Sequence, residues 1–139
     1  MNYLLDTNII SELISKQPSL KVITFIEELD EKNVYLSVMT IGEIKAGIEK
    51  LDNGIKKEKL SLWLHNDLLE RFRLRIIEID VNIMLAWGEI TQKSKVLGKP
   101  LPIIDSIIGA TCKAKELLLI TRNEKDFQNL DIKIINPFI

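Results

Sequence analysis

The stretch Asn2-Tyr3-Leu4-Leu5-Asp6-Thr7-Asn8-Ile9-Ile10-Ser11-Glu12-Leu13-Ile14 decides how the rest of the chain is read. Its opening is a short apolar run stopped by Asp6, the pattern of a buried strand. Ile9, Ile10, Leu13 and Ile14 then recur at the spacing of one helix face. Asn8 is the expected N-cap of that helix, and Gln17-Pro18-Ser19 is expected to close it.

The same alternation continues along the chain. A helix is expected from about Ser19 to Glu31, burying Val22, Ile23, Phe25, Ile26 and Leu29, followed by a buried strand over Val34 to Ser37. Thr40 is placed to cap the next helix, with Glu43 three residues on as the partner of a capping box and Ile41, Ile44, Ile48 and Leu51 as its apolar stripe. Asp52-Asn53-Gly54 breaks it, and a longer helix runs from about Ile55 to Phe72 with Leu60, Trp63, Leu64, Leu68 and Phe72 in register. Those aromatics are expected in packing, not as a base-stacking platform.

Arg75 to Ile79 is a third strand, and Asp80 caps a helix carrying Ile83, Met84, Trp87 and Ile90 that Gly98 ends. Pro102 suits the first turn of the next helix, which puts Asp105 in its opening turn. Gly109 and Ala110 give that helix a small face for close packing. Leu117 to Thr121 is a fourth strand, Asn123 caps a short turn, and Lys133 to Ile135 is a final edge strand. Strands separated by helices throughout indicate an α/β fold with a mainly parallel sheet of four to five strands. Ligands of such sheets bind at the carboxyl ends of strands.

Composition narrows the chemistry. At 139 residues and 46% hydrophobic, the chain fits one globular domain, residues 1–139, that needs no disulfides to hold a core. No apolar run approaches the roughly 20 residues of a membrane span. The start, Met1-Asn2-Tyr3-Leu4-Leu5-Asp6, lacks the basic region of a signal or transit peptide, so a cytoplasmic location is expected. With 19 Lys+Arg against 20 Asp+Glu the whole molecule does not attract a polyanion. The basic residues do gather between Lys45 and Arg75, where a solvated helical face explains them about as well as a nucleic-acid surface does. Cys112 and His65 are single residues of their types, read as a small buried helix residue and a helix-surface residue, so zinc lacks its usual ligands and any metal must be held by oxygen.

The acids then become the candidates. Asp6, Glu43, Asp105 and the Asn123/Asp126 pair each fall where a strand ends or a helix begins, from which all can converge on one crevice. Each has an ordinary structural explanation: a turn residue, half of a capping box, a first-turn acid favoured by the helix dipole, an N-cap. Against that, Pro102-Ile103-Ile104-Asp105-Ser106-Ile107-Ile108 embeds its charge among apolar residues, and Glu43 is flanked by Ile41, Gly42 and Ile44.

Four segments in order carry a family resemblance: Leu4 to Glu12, Ser37-Val38-Met39-Thr40-Ile41-Gly42-Glu43-Ile44, Asp105-Ser106-Ile107-Ile108-Gly109-Ala110, and Leu119-Ile120-Thr121-Arg122-Asn123-Glu124-Lys125-Asp126-Phe127. Together they resemble the PIN-domain proteins, and within them the VapC ribonuclease toxins of toxin–antitoxin modules. The resemblance implies a three-layer α/β/α fold and an endoribonuclease dependent on Mg²⁺, or Mn²⁺, with Asp6, Glu43 and Asp105 as its metal-pocket acids. The fourth position, often Asp, is Asn123 here, and Asp126 is the residue that would compensate. Thr7 and Thr121 are expected to orient Asp6 or a water, and Arg122 to contact the RNA backbone, with Lys45, Lys50 and Lys56, Lys57 and Lys59 as secondary candidates. The resemblance also implies homodimerisation through helices, a VapB-type antitoxin whose C-terminal segment lies across the pocket, and contact with operator DNA only through that antitoxin; the apolar helices around Trp63 and Trp87 are the candidate surfaces for these partners. Two rival readings are a catalytically silent PIN-like binding module and a phosphatase-type phosphoryl-transfer domain. The second is weakened because Asp6-Thr7-Asn8 has no second aspartate.

Overall fold

Along β1 (Asn2–Leu5), Leu4 and Leu5 are both fully covered yet join different hydrophobic clusters, because successive side chains of a strand point to opposite faces. β4 (Leu117–Ile120) behaves alike: Leu118 and Ile120 pack with Leu5, while Leu117 and Leu119 pack with Leu4. A sheet with two apolar faces must be covered twice. In the computed structural model, which describes residues 1–139, helices cover both faces and give the expected three layers.

The sheet is five-stranded and parallel throughout, in the order β3-β2-β1-β4-β5, with β2 at Val34–Ser37, β3 at Ile76–Ile77 and β5 at Ile134–Ile135. One face carries α1 (Thr7–Leu13), α2 (Leu20–Glu27), α3 (Val38–Glu49) and α4 (Ile55–Leu62), whose buried residues include Ile9, Val22 and Ile44. α4 continues through a π-helical stretch, Trp63–Leu68, and a last turn, α5 (Leu69–Arg71), ending on buried Phe72. On the other face α6 (Val81–Val96) lies against α7 (Ile103–Lys115), where Ile83, Ile90 and Ala110 form their own small core. A Cβ built on Gly109 would stand 2.5 Å from the Leu130 side chain, so the small face expected there is used by Leu130. α8 (Glu124–Phe127) buries Phe127 beside Ile108 and Cys112.

Several local expectations are corrected. Asp6, not Asn8, caps α1, accepting from the Thr7 backbone N–H at 2.8 Å. Ser37, not Thr40, caps α3 by accepting from the Met39 N–H at 3.0 Å. That starts the helix two residues before Thr40 and turns Thr40 inward, fully buried. The helix expected to Glu31 stops at Glu27, and Asp30 caps a separate 3₁₀ turn, Glu31–Asn33. β3 keeps only Ile76–Ile77 of the expected five residues. Leu74 takes a left-handed φ of 69°, and Arg75 is tied by its guanidinium to the carbonyls of Glu31 and Val34 at 2.7 and 2.6 Å. Pro102 stands at the N-cap position of α7, just before its first turn. Asp80 caps α6 as expected, accepting from the Ile83 N–H at 2.9 Å.

The order of strands fixes where a ligand fits. After β1 the chain moves to one side for β2 and β3 and later returns to the other side for β4 and β5. The direction of winding reverses between β1 and β4, so the loops leaving their carboxyl ends diverge and open a crevice.

Candidate metal centre

Asp6 and Thr121 are the first residues past β1 and β4, and the pairing of those strands places them side by side. The Asp6 N–H donates to the Ile120 carbonyl at 2.9 Å, and the Thr121 N–H donates to the Ile135 carbonyl at 3.0 Å. The Thr121 hydroxyl donates to Asp6 Oδ2 at 2.8 Å and accepts from the Asn123 N–H at 3.0 Å. Asn8 spans the two loops. Its Nδ2 lies 3.3 Å from both Asp6 Oδ2 and Thr121 Oγ1, and its Oδ1 accepts from the Arg122 N–H at 3.1 Å. Burial raises the Asp6 carboxyl above its ordinary value, with nearby Glu43 adding repulsion, although donors from Thr121, Thr7 and Asn8 pull the other way.

Glu43 arrives from α3, one face of which looks across at Thr7. The Thr7 hydroxyl lies 2.6 Å from Glu43 Oε1 and 3.0 Å from the Thr40 hydroxyl. Thr7 has one hydroxyl proton, and the carboxylate, which only accepts, takes it at the shorter distance. Thr7 therefore serves Asp6 through its backbone and Glu43 through its side chain, where Asp6 or a water is the expected partner of its hydroxyl.

Asp105, in the opening turn of α7, accepts no hydrogen bond from the chain. Burial raises its carboxyl to about 6, and the charges of Asp6, Asp126 and Glu43 each push the same way. Asn123 sits at the N-cap position of α8 but makes no side-chain capping bond, which corrects the expectation and leaves its amide free.

Asp6, Glu43, Asp105 and Asn123 line one cleft of about 450 Å³, together with Thr7, Asn8, Ser11, Glu12 and Arg122. No hydrophobic residue is among these nine. Asp126 is exposed and outside the lining, and acts on the cleft through its charge on Asp105. Sequence reasoning missed Asn8 as a bridge, Thr40 as a buried contact of Thr7, and Ser11 and Glu12 as lining. Ser11 and Glu12 follow Asn8 by one helical turn, the available signal.

The lining offers oxygen donors and neither imidazole nor thiolate, the donor chemistry of a hard divalent cation such as Mg²⁺ or Mn²⁺. No group of three acidic side chains is already gathered at ligating geometry. That suits an ion that keeps several waters and takes only one or two carboxylates directly. The partly buried, mutually repelling carboxyls fit a cation as counter-charge.

An open parallel sheet with an acid-lined cleft at its switch point places that cleft where α/β folds bind their ligands. The PIN domain model matches residues 3–133, and the chain belongs to the PIN-domain family. It is similar to toxin FitB of Neisseria gonorrhoeae, with 35% identity over 135 residues that span 97% of each chain. It is also similar to VapC ribonuclease Y4jK of Sinorhizobium fredii, with 28% identity over 134 residues and 96% of each chain. Among solved structures, a FitAB assembly bound to an IR36 DNA fragment superposes with a TM-score of 0.94 at 33% identity, covering 99% of this chain and 96% of that one. PIN-domain ribonucleases generally depend on a divalent metal.

Proposed function

We propose that residues 1–139 act as one PIN domain, a Mg²⁺-dependent endoribonuclease and the toxin of a toxin–antitoxin module. The observation that carries this reading is the convergence of Asp6, Glu43, Asp105 and Asn123, from four separate elements, on a single cleft with only oxygen donors. Similarity to a named VapC ribonuclease and to a named toxin supports it.

Asp6 and Asp105 would hold the cation, Glu43 would ligate it or orient the attacking water, and Asn123 would complete the site through a water. When bound, the cation neutralises phosphate charge and makes water a competent nucleophile near neutral pH. Thr121 and Asn8 keep Asp6 Oδ2 aimed by their donors. Thr7 occupies Glu43 Oε1, so Oε2 is the atom left to accept a proton from the attacking water. Arg122, the cation of the lining, pairs with no carboxylate and meets the substrate phosphate.

The wider basic surface contributes less than its residue count suggests. Lys45 and Lys57 both pair with Glu49, at 2.8 and 3.6 Å, and Arg71 and Arg75 both pair with Glu31. Lys50, Lys56 and Lys59 stay free for long-range attraction. RNA affinity falls as salt rises, and the slope flattens when these lysines are neutralised.

An antitoxin of the VapB type is the proposed protein partner, and the FitAB–DNA assembly supports contact with operator DNA through it. Its docking place is an apolar groove of about 480 Å³ lined by Leu13, Ile14, Ile26, Trp63 and Phe72, rimmed by Glu27 and Asp67. The proposed homodimer uses α6, where Val81 and Leu85 are exposed. Trp87 is instead engaged within the chain, its indole N–H donating to Ser106 Oγ at 2.8 Å. No helix is long and apolar enough to cross a membrane.

Incubation of the purified protein with total RNA, with and without Mg²⁺, tests the enzyme reading. Cleavage that needs the ion and disappears in Asp6→Asn is the expected result; cleavage unchanged by that substitution sinks it. Failure of the wild-type protein to take up Mn²⁺ would favour the silent binding module.

A further inference from the structure

Arg122 is the only basic residue lining a cleft that also holds Asp6, Glu43 and Asp105. Left to itself, a long guanidinium side chain beside three carboxylates would fold onto them and block the place where a phosphate must enter. It does not: Arg122 forms no ion pair, and its guanidinium carbon lies 4.5 Å from the centroid of the Phe138 ring. The chain end that supplies this ring is itself fixed. Pro137 is buried and Phe138 packs against the larger core. The Phe138 N–H donates to Asn136 Oδ1 at 3.0 Å, and Asn136 Nδ2 reaches the Arg122 carbonyl at 3.3 Å and Glu124 Oε1 at 3.4 Å. Asn136 thereby also occupies Glu124, the acid close to Arg122 in sequence.

From this we infer that Asn136-Pro137-Phe138 is a positioning clamp. It stacks the Arg122 guanidinium on Phe138 at the rim of the acid-lined cleft and leaves its N–H edges for a substrate phosphate. Phe138 is a positioning residue acting through Arg122, and the role rests on the nuclease reading above. Stacking by one face leaves the planar donor fork unspent, which a salt bridge to Asp105 or Glu43 would consume. A lysine at position 122 would lack both the flat face and the fork.

The experiment compares wild type, Phe138→Leu, Phe138→Tyr, Arg122→Ala and the Arg122→Ala/Phe138→Leu double variant on one oligoribonucleotide with Mg²⁺. Leu keeps apolar packing without a ring, and Tyr keeps the ring. Phe138→Leu is expected to raise KM about threefold with kcat retained, and to reduce the salt dependence of KM toward that of Arg122→Ala. Phe138→Tyr restores both values, and the double variant is no worse than Arg122→Ala alone. In the RNA-free protein, NMR should show the Arg122 side-chain protons shifted by the ring in wild type and Phe138→Tyr, and unshifted in Phe138→Leu. An unchanged KM in Phe138→Leu where Arg122→Ala raises it overturns the clamp, as does a Phe138→Leu effect that persists in full without Arg122. A silent Arg122→Ala in an enzyme that Asp6→Asn inactivates overturns the clamp and leaves the nuclease reading standing. Absence of cleavage by the wild type overturns both, with the NMR shift still reporting whether the stack exists.

Discussion

The two halves of the acidic cleft are built differently. At the strand ends, Asp6 is 5% exposed and wired to Thr7, Asn8 and Thr121, each of which has a second partner. On the helix side, Asp105 is half-buried with no donor, and burial first, then the like charges of Asp6, Asp126 and Glu43, disfavour its charge. One half is set when the sheet forms, because its donors are backbone and loop groups fixed by β1 and β4. The other half is under tension until a counter-charge arrives.

Substitutions that treat the halves alike in activity should separate them in stability. Asp6→Asn is expected to reduce Mg²⁺-dependent cleavage by ~100-fold or more while circular dichroism shows the fold retained. Thr121→Val removes the hydroxyl that orients Asp6 and accepts from the Asn123 N–H. It should lower kcat by ~10-fold to ~100-fold and cost about 1–2 kcal/mol in urea unfolding, the price of stranding buried polar groups.

Asp105→Asn should also be inactive, yet more stable without divalent ions. The Asp105 carboxyl is raised from 3.8 to about 6 in the folded chain, so folding favours its protonated form. The Asp105 contribution to stability is therefore greatest below about pH 4, falls as pH rises through the window from 4 to 6, and levels off above it. Halving the shift for the exposure of the group, Asp105→Asn gains about 1.5 kcal/mol at pH 7 and loses that pH slope. Thermal melts from pH 4 to 7 in EDTA and in Mg²⁺ check this: the ion should close most of the gap. Asp126→Asn is the smallest effect, below about twofold in kcat, because that carboxylate reaches Asp105 only through exposed solvent. A large loss in Asp126→Asn would instead bring Asp126 into the ligand set and blur the contrast between the halves.

How much of this was legible follows residue type and range. Asp6, Asp80 and Asp105 were readable because strand ends and first helical turns are marked by short-range pattern. Thr40 was misassigned for the same reason: Thr40 with Glu43 satisfies a capping box, and only the cap at Ser37, three residues earlier, shows that Glu43 answers to Thr7, 36 residues away. Asn8 had the right type for a cap, and the pairing of β1 with β4 made it a bridge to Thr121 and Arg122 instead. Basic residues between Lys45 and Arg75 looked like a surface for polyanions until Glu49 and Glu31 were seen to take four of them.

What the sequence determined by itself was the alternation of strand and helix, the lack of imidazole and thiolate partners for a metal, and the candidate positions Asp6, Glu43, Asp105 and Asn123 that the fold brings to one cleft. These depend on periodicity and composition, which act over a few residues. The tertiary structure decided the strand order 3-2-1-4-5, and with it the opening between β1 and β4 that brings Asp6 beside Thr121, Glu43 beside Thr7, and Arg122 onto Phe138. It also excluded Asp126 from the lining and left Asp105 without a donor. Those outcomes rest on contacts between residues tens of positions apart, and no local pattern encodes which distant partner a side chain meets once the sheet has closed.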